Sequence, residues 1–249
     1  MGKVILFASG KGGVGKTTAT AGVGFSLAQS GKKVLLLDAD IRLRNLDLVL
    51  GAQDKAIYDV QDIYYGRCDE EKAILASNSH PGFYFLSAPL ELTAPAAEIY
   101  SFILNFALEK AKKYDYILID CPAGLGEDME KLFCRQIRLV CVATPDVTSV
   151  RDAEKVASVA ASKGVRYIRL IINRVNKKAL KKTGAPNVDD IIDDTHMQLI
   201  GIVPEDKYVS LAANTKKLLC DIKKSKARIT FSNIASRLDG KETGLYKNF

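Results

Sequence analysis

Residues 3–18 read Lys3-Val4-Ile5-Leu6-Phe7-Ala8-Ser9-Gly10-Lys11-Gly12-Gly13-Val14-Gly15-Lys16-Thr17-Thr18. A short apolar run of strand character passes through a glycine-rich stretch into a helix-like segment, Thr17 to Ser30. Within it Gly10 to Thr17 satisfies the pattern GxxxxGK[ST], in the strand-to-helix context that the pattern requires. Glycines let the backbone bend so that successive N–H groups point inward at phosphate oxygens, and the following helix adds the positive end of its dipole. Gly10, Lys11, Gly12, Gly13, Val14 and Gly15 thus form a phosphate cradle. Lys16 is placed to reach β- and γ-phosphates, Thr17 to offer its hydroxyl to Mg²⁺, and Thr18 to hydrogen-bond a phosphate nearer the ribose.

Outward from this stretch the alternation continues. Gly31 stops the first helix, and Lys33 to Leu37 is a second buried-strand run. Phe83–Ser87, Tyr116–Ile119, Leu139–Ala143, Tyr167–Ile172 and Leu199–Val203 read as further strands, with helical segments near 96–113, 128–136, 149–163 and 188–195. Seven strands with interposed helices predict an α/β fold, a doubly wound and mainly parallel sheet with helices on both faces, as in P-loop NTPases. No linker divides the chain, so a single domain is expected over 1–238, followed by a short tail, 239–249. Long loops are expected around 41–58 and 174–187.

Composition agrees with a globular protein: 47% of residues are hydrophobic and 26% charged. No stretch approaches the roughly 18 apolar residues of a membrane span, and Val4 to Ala8 is too short for a signal peptide, so a cytoplasmic protein is expected. The five cysteines form no CxxC pair and read as reduced core thiols, while His80 and His196 look isolated, without metal-ligand spacing. A net charge of +7 favours an anionic contact without choosing among nucleotide, nucleic acid and membrane.

Asp38 and Asp40 follow the second strand and Asp120 follows Tyr116–Ile119, at strand ends, where an open parallel sheet binds its ligand. Mg²⁺ keeps several waters in its octahedral oxygen shell, so a strand-end carboxylate can hold it through water, and Asp120 suits that role. Asp40 has the alternative of capping the turn into the next segment.

Lys11 occupies a position that the general pattern leaves free. With it, GKGGVGKT resembles the deviant Walker A motif of the ParA/MinD family of ATPases. The resemblance implies ATP and Mg²⁺ as ligands and an ATP-dependent homodimer in which Lys11 reaches the partner's nucleotide, as an arginine finger does. It assigns Asp38 to support of the metal shell and Asp40 to orienting the water that attacks the γ-phosphate. Lys11, Lys16 and Asp40 are then the catalytic set, and Thr17, Asp38 and Asp120 the metal set.

MinD-type members of the family, which place the bacterial division site, are matched further. Asp40–Gly51, Tyr58–Val60, Gly66–Cys68, Asp120–Gly124, Thr144–Ala153 and Val203–Asp206 resemble them in order and spacing. The resemblance implies that Asn173 and the segment Pro204, Glu205, Asp206 hold the adenine, that Arg174 stacks or pairs nearby, and that a protein activator or regulator acts on the switch. The chain departs at Arg42, where glycine is expected, and at Leu86–Tyr100, which carries Pro89 and Pro95. It departs again at Gly240–Phe249, a weak interfacial anchor where such proteins carry a basic amphipathic helix at the inner face of the membrane. Rival readings are a partition ATPase of ParA type, binding DNA nonspecifically through Lys216, Lys217, Lys223, Lys224, Lys226 and Arg228, and a flagellar-number regulator. The same cations also read as a solvated helix face. An ATP-binding scaffold with negligible hydrolysis is the last alternative, and Asp40 argues against it.

Overall fold

In the computed structural model, residues 1–41, 43–52, 55–215 and 217–246 are described, Ala179 and Lys181 by their backbone alone. Arg42, Lys216 and residues 247–249 of the tail lie outside the described residues. The apolar runs form strands β1 (Lys3–Ser9), β2 (Val34–Asp38), β3 (Leu75–Ala76), β4 (Phe83–Leu86), β5 (Tyr116–Ala123), β6 (Arg138–Ala143), β7 (Tyr167–Val175) and β8 (Gln198–Pro204). They hydrogen-bond in the order β3-β4-β2-β5-β1-β6-β7-β8, and each neighbouring pair is parallel except β3 with β4. Between them run α1 (Lys16–Gln29), α2 (Leu46–Leu50), α3 (Val60–Tyr64), α4 (Glu70–Ala73), α5 (Ala96–Lys110), α6 (Val147–Ser162), α7 (Lys177–Thr183), α8 (Val188–Thr195), α9 (Lys207–Asn214) and α10 (Lys226–Leu238).

Period-two alternation within buried strands gives the sheet two apolar faces. Val4, Leu6, Leu35 and Ile117 pack with Ile99 and Ile103 of α5 and Val150 and Val156 of α6. Ile5, Phe7, Leu36 and Leu118 pack on the opposite face with Val23 and Leu27 of α1 and Phe231 and Ile234 of α10. The α1–α10 contact is close because Gly22 carries no side chain: a Cβ there would lie 2.4 Å from the Phe231 ring. Burying an aromatic side chain of this kind is worth about 1.5–3 kcal/mol.

The strand order agrees with the doubly wound sheet expected from the sequence, but an eighth strand, β3, pairs antiparallel at the edge. Two residues are too few for a periodic signal. The segment expected to be helical near 128–136 is a short 3₁₀ turn, Asp128–Leu132, and the supposed loops 41–58 and 174–187 contain α2 and α7. The basic residues read as one helix face are spread over two elements: Lys217, Lys223 and Lys224 lie on the connection into α10, and Lys226 and Arg228 in its first turn. Among the described residues no helix is long and apolar enough to cross a membrane. Residues 241–246 form no helix, and the Arg237 guanidinium donates to the Thr243 carbonyl at 2.8 and 2.6 Å.

Candidate nucleotide site

The glycine loop connects the carboxyl end of β1 to α1, in the middle of the sheet. Gly13 and Gly15 adopt left-handed φ of 77° and 89°, which residues with a Cβ enter at a cost. The start of α1 has no side-chain cap and no acidic residue in its first turn. Its first N–H groups are thus left without the partners that a helix start ordinarily recruits, which suits an anion. The loop is also clamped from two sides. Gly10 sits so close to α6 that a Cβ would lie 2.4 Å from the Asp152 Cβ, and one on Gly15 would lie 2.3 Å from the Asn173 amide nitrogen.

Beneath the loop, Lys16 and Asp120 form a buried pair, Nζ to Oδ1 at 3.0 Å, with side-chain exposures of 7% and 0%. Burial disfavours the Lys16 ammonium, but the charge and hydrogen bond of Asp120, with help from Cys121 and Asp40, raise its pKa above the ordinary lysine value. Thr20 Oγ1 lies 3.0 Å from the same Oδ1. Asp120 Oδ2 is buried with no hydrogen-bond partner. Such an orphan acceptor costs on the order of 1–3 kcal/mol, more for a charged group. Asp38 stands opposite Asp120 in the β2–β5 register, and burial followed by the Asp120 charge pushes its carboxyl up to about 8, against the pull of the Asp40 and Leu46 amides. Without a cation Asp38 therefore holds its proton at neutral pH, and a metal ion beside the two carboxyls would displace it. The donor set, all hard oxygen, fits Mg²⁺. Thr17, at the second position of α1, belongs to the same corner. Asp40, buried, accepts from the Leu43 amide at 3.3 Å.

Lys11 lies at the rim, half exposed, its ammonium 3.0 Å from Asp146 Oδ1 and 3.1 Å from Thr148 Oγ1. The sequence reading did not anticipate Asp146. Although partial burial opposes it, hydrogen bonds from Thr144, Thr148, the Ser149 amide and Lys11 hold the Asp146 carboxyl well below the usual carboxylate range. The available signal was its place as N-cap of α6, with Ser149 three residues on. Lys11, Gly12, Gly13, Val14, Thr144, Pro145, Asp146 and Arg174 enclose a cavity of about 310 Å³ at this rim.

A second cavity, about 230 Å³, opens beside it between Gly15, Thr18, Asn173, Arg174, Pro204, Glu205 and Asp206, with Phe231 at its back. The residues expected around an adenine therefore converge. Their side chains are not all turned to a ligand, however. Asn173 Nδ2 donates to the Val14 carbonyl at 2.7 Å and its Oδ1 accepts from the Arg174 amide at 2.9 Å, with Arg174 itself at φ 56°. The Asp206 carboxylate accepts from the Tyr208 and Ala227 amides and from Ser225 Oγ, and Glu205 accepts from Asn176 at 2.9 Å. What these positions leave for a base is the cavity's shape and main-chain groups.

A family model described as the CobQ/CobB/MinD/ParA nucleotide binding domain matches residues 5–219. The septum site-determining protein MinD of Bacillus subtilis (strain 168) is 34% identical over 246 residues, covering 98% of this chain and 92% of that protein. Among solved structures, the MinC:MinD cell division protein complex of Aquifex aeolicus superposes with a TM-score of 0.87 at 34% identity, covering 98% of this chain and 99% of that one. The septum site-determining protein MinD of Pyrococcus horikoshii OT3, complexed with Mg-ADP, gives a TM-score of 0.84 at 28% identity over 96% of each chain.

Proposed function

The chain belongs to the CobQ/CobB/MinD/ParA nucleotide-binding family, as a MinD-type ATPase of division-site placement, and we propose how its residues run an ATP-driven switch. The amides of Gly12 to Lys16 grip the phosphates while Lys16 offsets their charge. Thr17 and, through water, the Asp38 and Asp120 carboxylates would hold Mg²⁺, which would supply charge neutralisation on the phosphate oxygens. Asp40 orients the water that attacks, and Lys11 acts in trans on the nucleotide of a second copy. Asn173, Arg174 and the Pro204–Asp206 segment form the adenine pocket, with Asn173 setting the loop and Asp206 setting the segment.

The observation that carries this reading is the orphaned, buried Asp120 Oδ2 beside Lys16, under a helix start whose amides have no cap. Neither is economical for a protein that binds no phosphate and no cation. A relative from Aquifex aeolicus is a complex with MinC, and by that likeness the target of the ATP-bound dimer here is a protein regulator. Membrane and DNA are secondary candidates, the basic residues Lys217, Lys223, Lys224, Lys226 and Arg228 lying at and just before the start of α10.

Phosphate release and ATP-dependent dimerisation, compared in the unaltered chain, Lys11→Ala and Asp40→Ala, test the mechanism. Lys11→Ala should lose both, and Asp40→Ala should dimerise without hydrolysing. Undiminished hydrolysis in both variants overturns it. Sedimentation with anionic liposomes and with DNA, each with and without ATP, reports whether a surface is bound as well.

A further inference from the structure

At the edge of the molecule remote from the phosphate loop, three side chains far apart in sequence meet. His80 precedes β4, at the amino end of a parallel strand, whereas the phosphate loop lies beyond carboxyl ends. Cys220 and Asp221 belong to the short turn between α9 and α10. His80 Nε2 is 3.4 Å from Cys220 Sγ and 3.4 Å from Asp221 Oδ1, and the sulfur is 3.8 Å from that oxygen. Here the sequence reading of His80 as an isolated histidine is corrected: its neighbours are 140 and 141 residues away, beyond any local spacing.

The sulfur lies within hydrogen-bonding distance of both His80 Nε2 and Asp221 Oδ1, but Nε2 to Oδ1 at 3.4 Å exceeds the roughly 2.7–3.2 Å of an N–H···O bond. Tetrahedral bonds of about 2.0–2.3 Å to nitrogen, oxygen and sulfur place ligand atoms roughly 3.3–3.6 Å apart, close to the edges observed. The ring is also oriented as a ligand's would be. Its other nitrogen, Nδ1, lies 2.9 Å from Ser79 Oγ, and Phe25 packs on it with centroids 4.9 Å apart. A second-sphere partner on the far nitrogen commonly fixes the tautomer that presents Nε2 to a metal. Cys220 is buried and the His80 side chain only 10% exposed, whereas the Asp221 side chain is 60% exposed, so a fourth position would face solvent.

We propose that His80, Cys220 and Asp221 form a binding site for a divalent transition metal of zinc type, separate from the Mg²⁺ of the phosphate loop, pinning the entry of β4 to the turn before α10. One thiolate, one imidazole and one carboxylate suit zinc, and a single-sulfur, single-nitrogen set is unsuited to Mg²⁺ or Ca²⁺. Burial first, then Asp221, raises the Cys220 thiol to about 12, so it is no nucleophile without a metal. Metal binding exchanges its S–H bond for a metal–sulfur bond and releases the proton to the buffer.

The site is tested on the full chain, stripped with chelator and kept free of nucleotide. Zn²⁺ titrated by calorimetry should bind at one equivalent and raise Tm, with proton release visible as a dependence on buffer ionisation. Co²⁺ should give a thiolate charge-transfer band in the near ultraviolet, absent in Cys220→Ser. His80→Gln, and Asp221→Asn at its exposed and therefore fold-neutral position, should each weaken Zn²⁺ about tenfold or more. No Co²⁺–thiolate band in the unaltered chain, the same band in Cys220→Ser, or undiminished Zn²⁺ affinity in both His80→Gln and Asp221→Asn overturns the proposal.

Discussion

Asn173 Nδ2 donates to the Val14 carbonyl at 2.7 Å, tying the end of β7 to the phosphate loop. The side chain is buried, and Gly15 passes so near that a Cβ there would sit 2.3 Å from the same nitrogen. A residue expected to touch the base thus also shapes the loop. Asn173→Ala leaves the Val14 carbonyl unpaired, at a cost of about 1–2 kcal/mol, and should weaken ATP binding roughly tenfold while Tm falls by only a few degrees. Calorimetric titration of the variant with Mg-ATP checks this. Equal affinity would mean that the loop holds its shape without the bond.

Asp38 and Asp120 face each other across β2 and β5, and the consequence is a pH dependence of stability. With the folded carboxyl of Asp38 raised to about 8 from 3.8, both folded and unfolded chains bind the proton below pH 3.8, where the group contributes nothing. Between 3.8 and 8 the unfolded chain gives up its proton and the folded chain keeps it, so metal-free stability declines as pH rises. One proton limits the slope to about 1.4 kcal/mol per pH unit. Tm measured from pH 6 to 8 should therefore fall in the metal-free protein. Mg-nucleotide and, independently, Asp38→Asn should each flatten the slope, whatever the variant's baseline Tm. Parallel slopes in all three samples would sink the idea.

The phosphate loop was legible because its geometry is local: Gly13 and Gly15 mark positive φ, and Lys16 opens the helix directly after Gly15. The sheet was legible because strands covered on both faces read as continuous apolar runs, such as Val34–Leu37. What escaped depends on contacts between distant segments or on stripes hidden by charge. In α10 the lysine and arginine of the first turn drew the eye, while Phe231, Ile234, Ala235 and Leu238 carry the helix onto α1 and β8. Asp146 and Asp206 were obscured because a capping aspartate and a ligand aspartate look alike in sequence.

Asp206 illustrates the cost of that ambiguity. Its carboxylate accepts from Tyr208 N at 2.9 Å, Ala227 N at 3.0 Å and Ser225 Oγ at 2.7 Å, and so fixes the starts of both α9 and α10. Partial burial would raise its pKa, yet those bonds and the Lys226 amide hold it below the ordinary value. The stability it contributes is accordingly present above about pH 4 and lost as pH falls through the folded value. Asp206→Ala should cost about 2–3 kcal/mol, and this difference should shrink on acidification. Denaturant unfolding at two pH values checks both statements. In kinetics the variant should raise KM for ATP more than it lowers kcat, since the adenine wall loosens while the phosphate end is untouched.

Lys11 is held within its own chain by Asp146 and Thr148, and to serve a partner's nucleotide it must leave them. The pair is half exposed, with side-chain exposures of 45% and 41%, so the contact is worth no more than about 1 kcal/mol. Asp146 stays fixed without it, because Thr144 Oγ1, Thr148 Oγ1 and the Ser149 amide also donate to its carboxylate. The contact is therefore a weak rest position that competes with the dimer. Asp146→Asn removes the charge and retains an oxygen for the Ser149 cap, freeing Lys11. Two such contacts break per dimer, so the ATP-dependent dimer should then form at a protein concentration up to about thirtyfold lower. Nucleotide affinity of the single chain should not change, and added salt should narrow the difference between variant and unaltered protein as it screens the pair. Sedimentation equilibrium across a salt series measures the dimerisation and its salt dependence, and calorimetric titration with Mg-ATP measures the nucleotide affinity. If Asp146→Asn dimerises no more readily than the unaltered chain at low salt, Asp146 is not a competitor for Lys11, and its place at the rim serves the α6 cap alone.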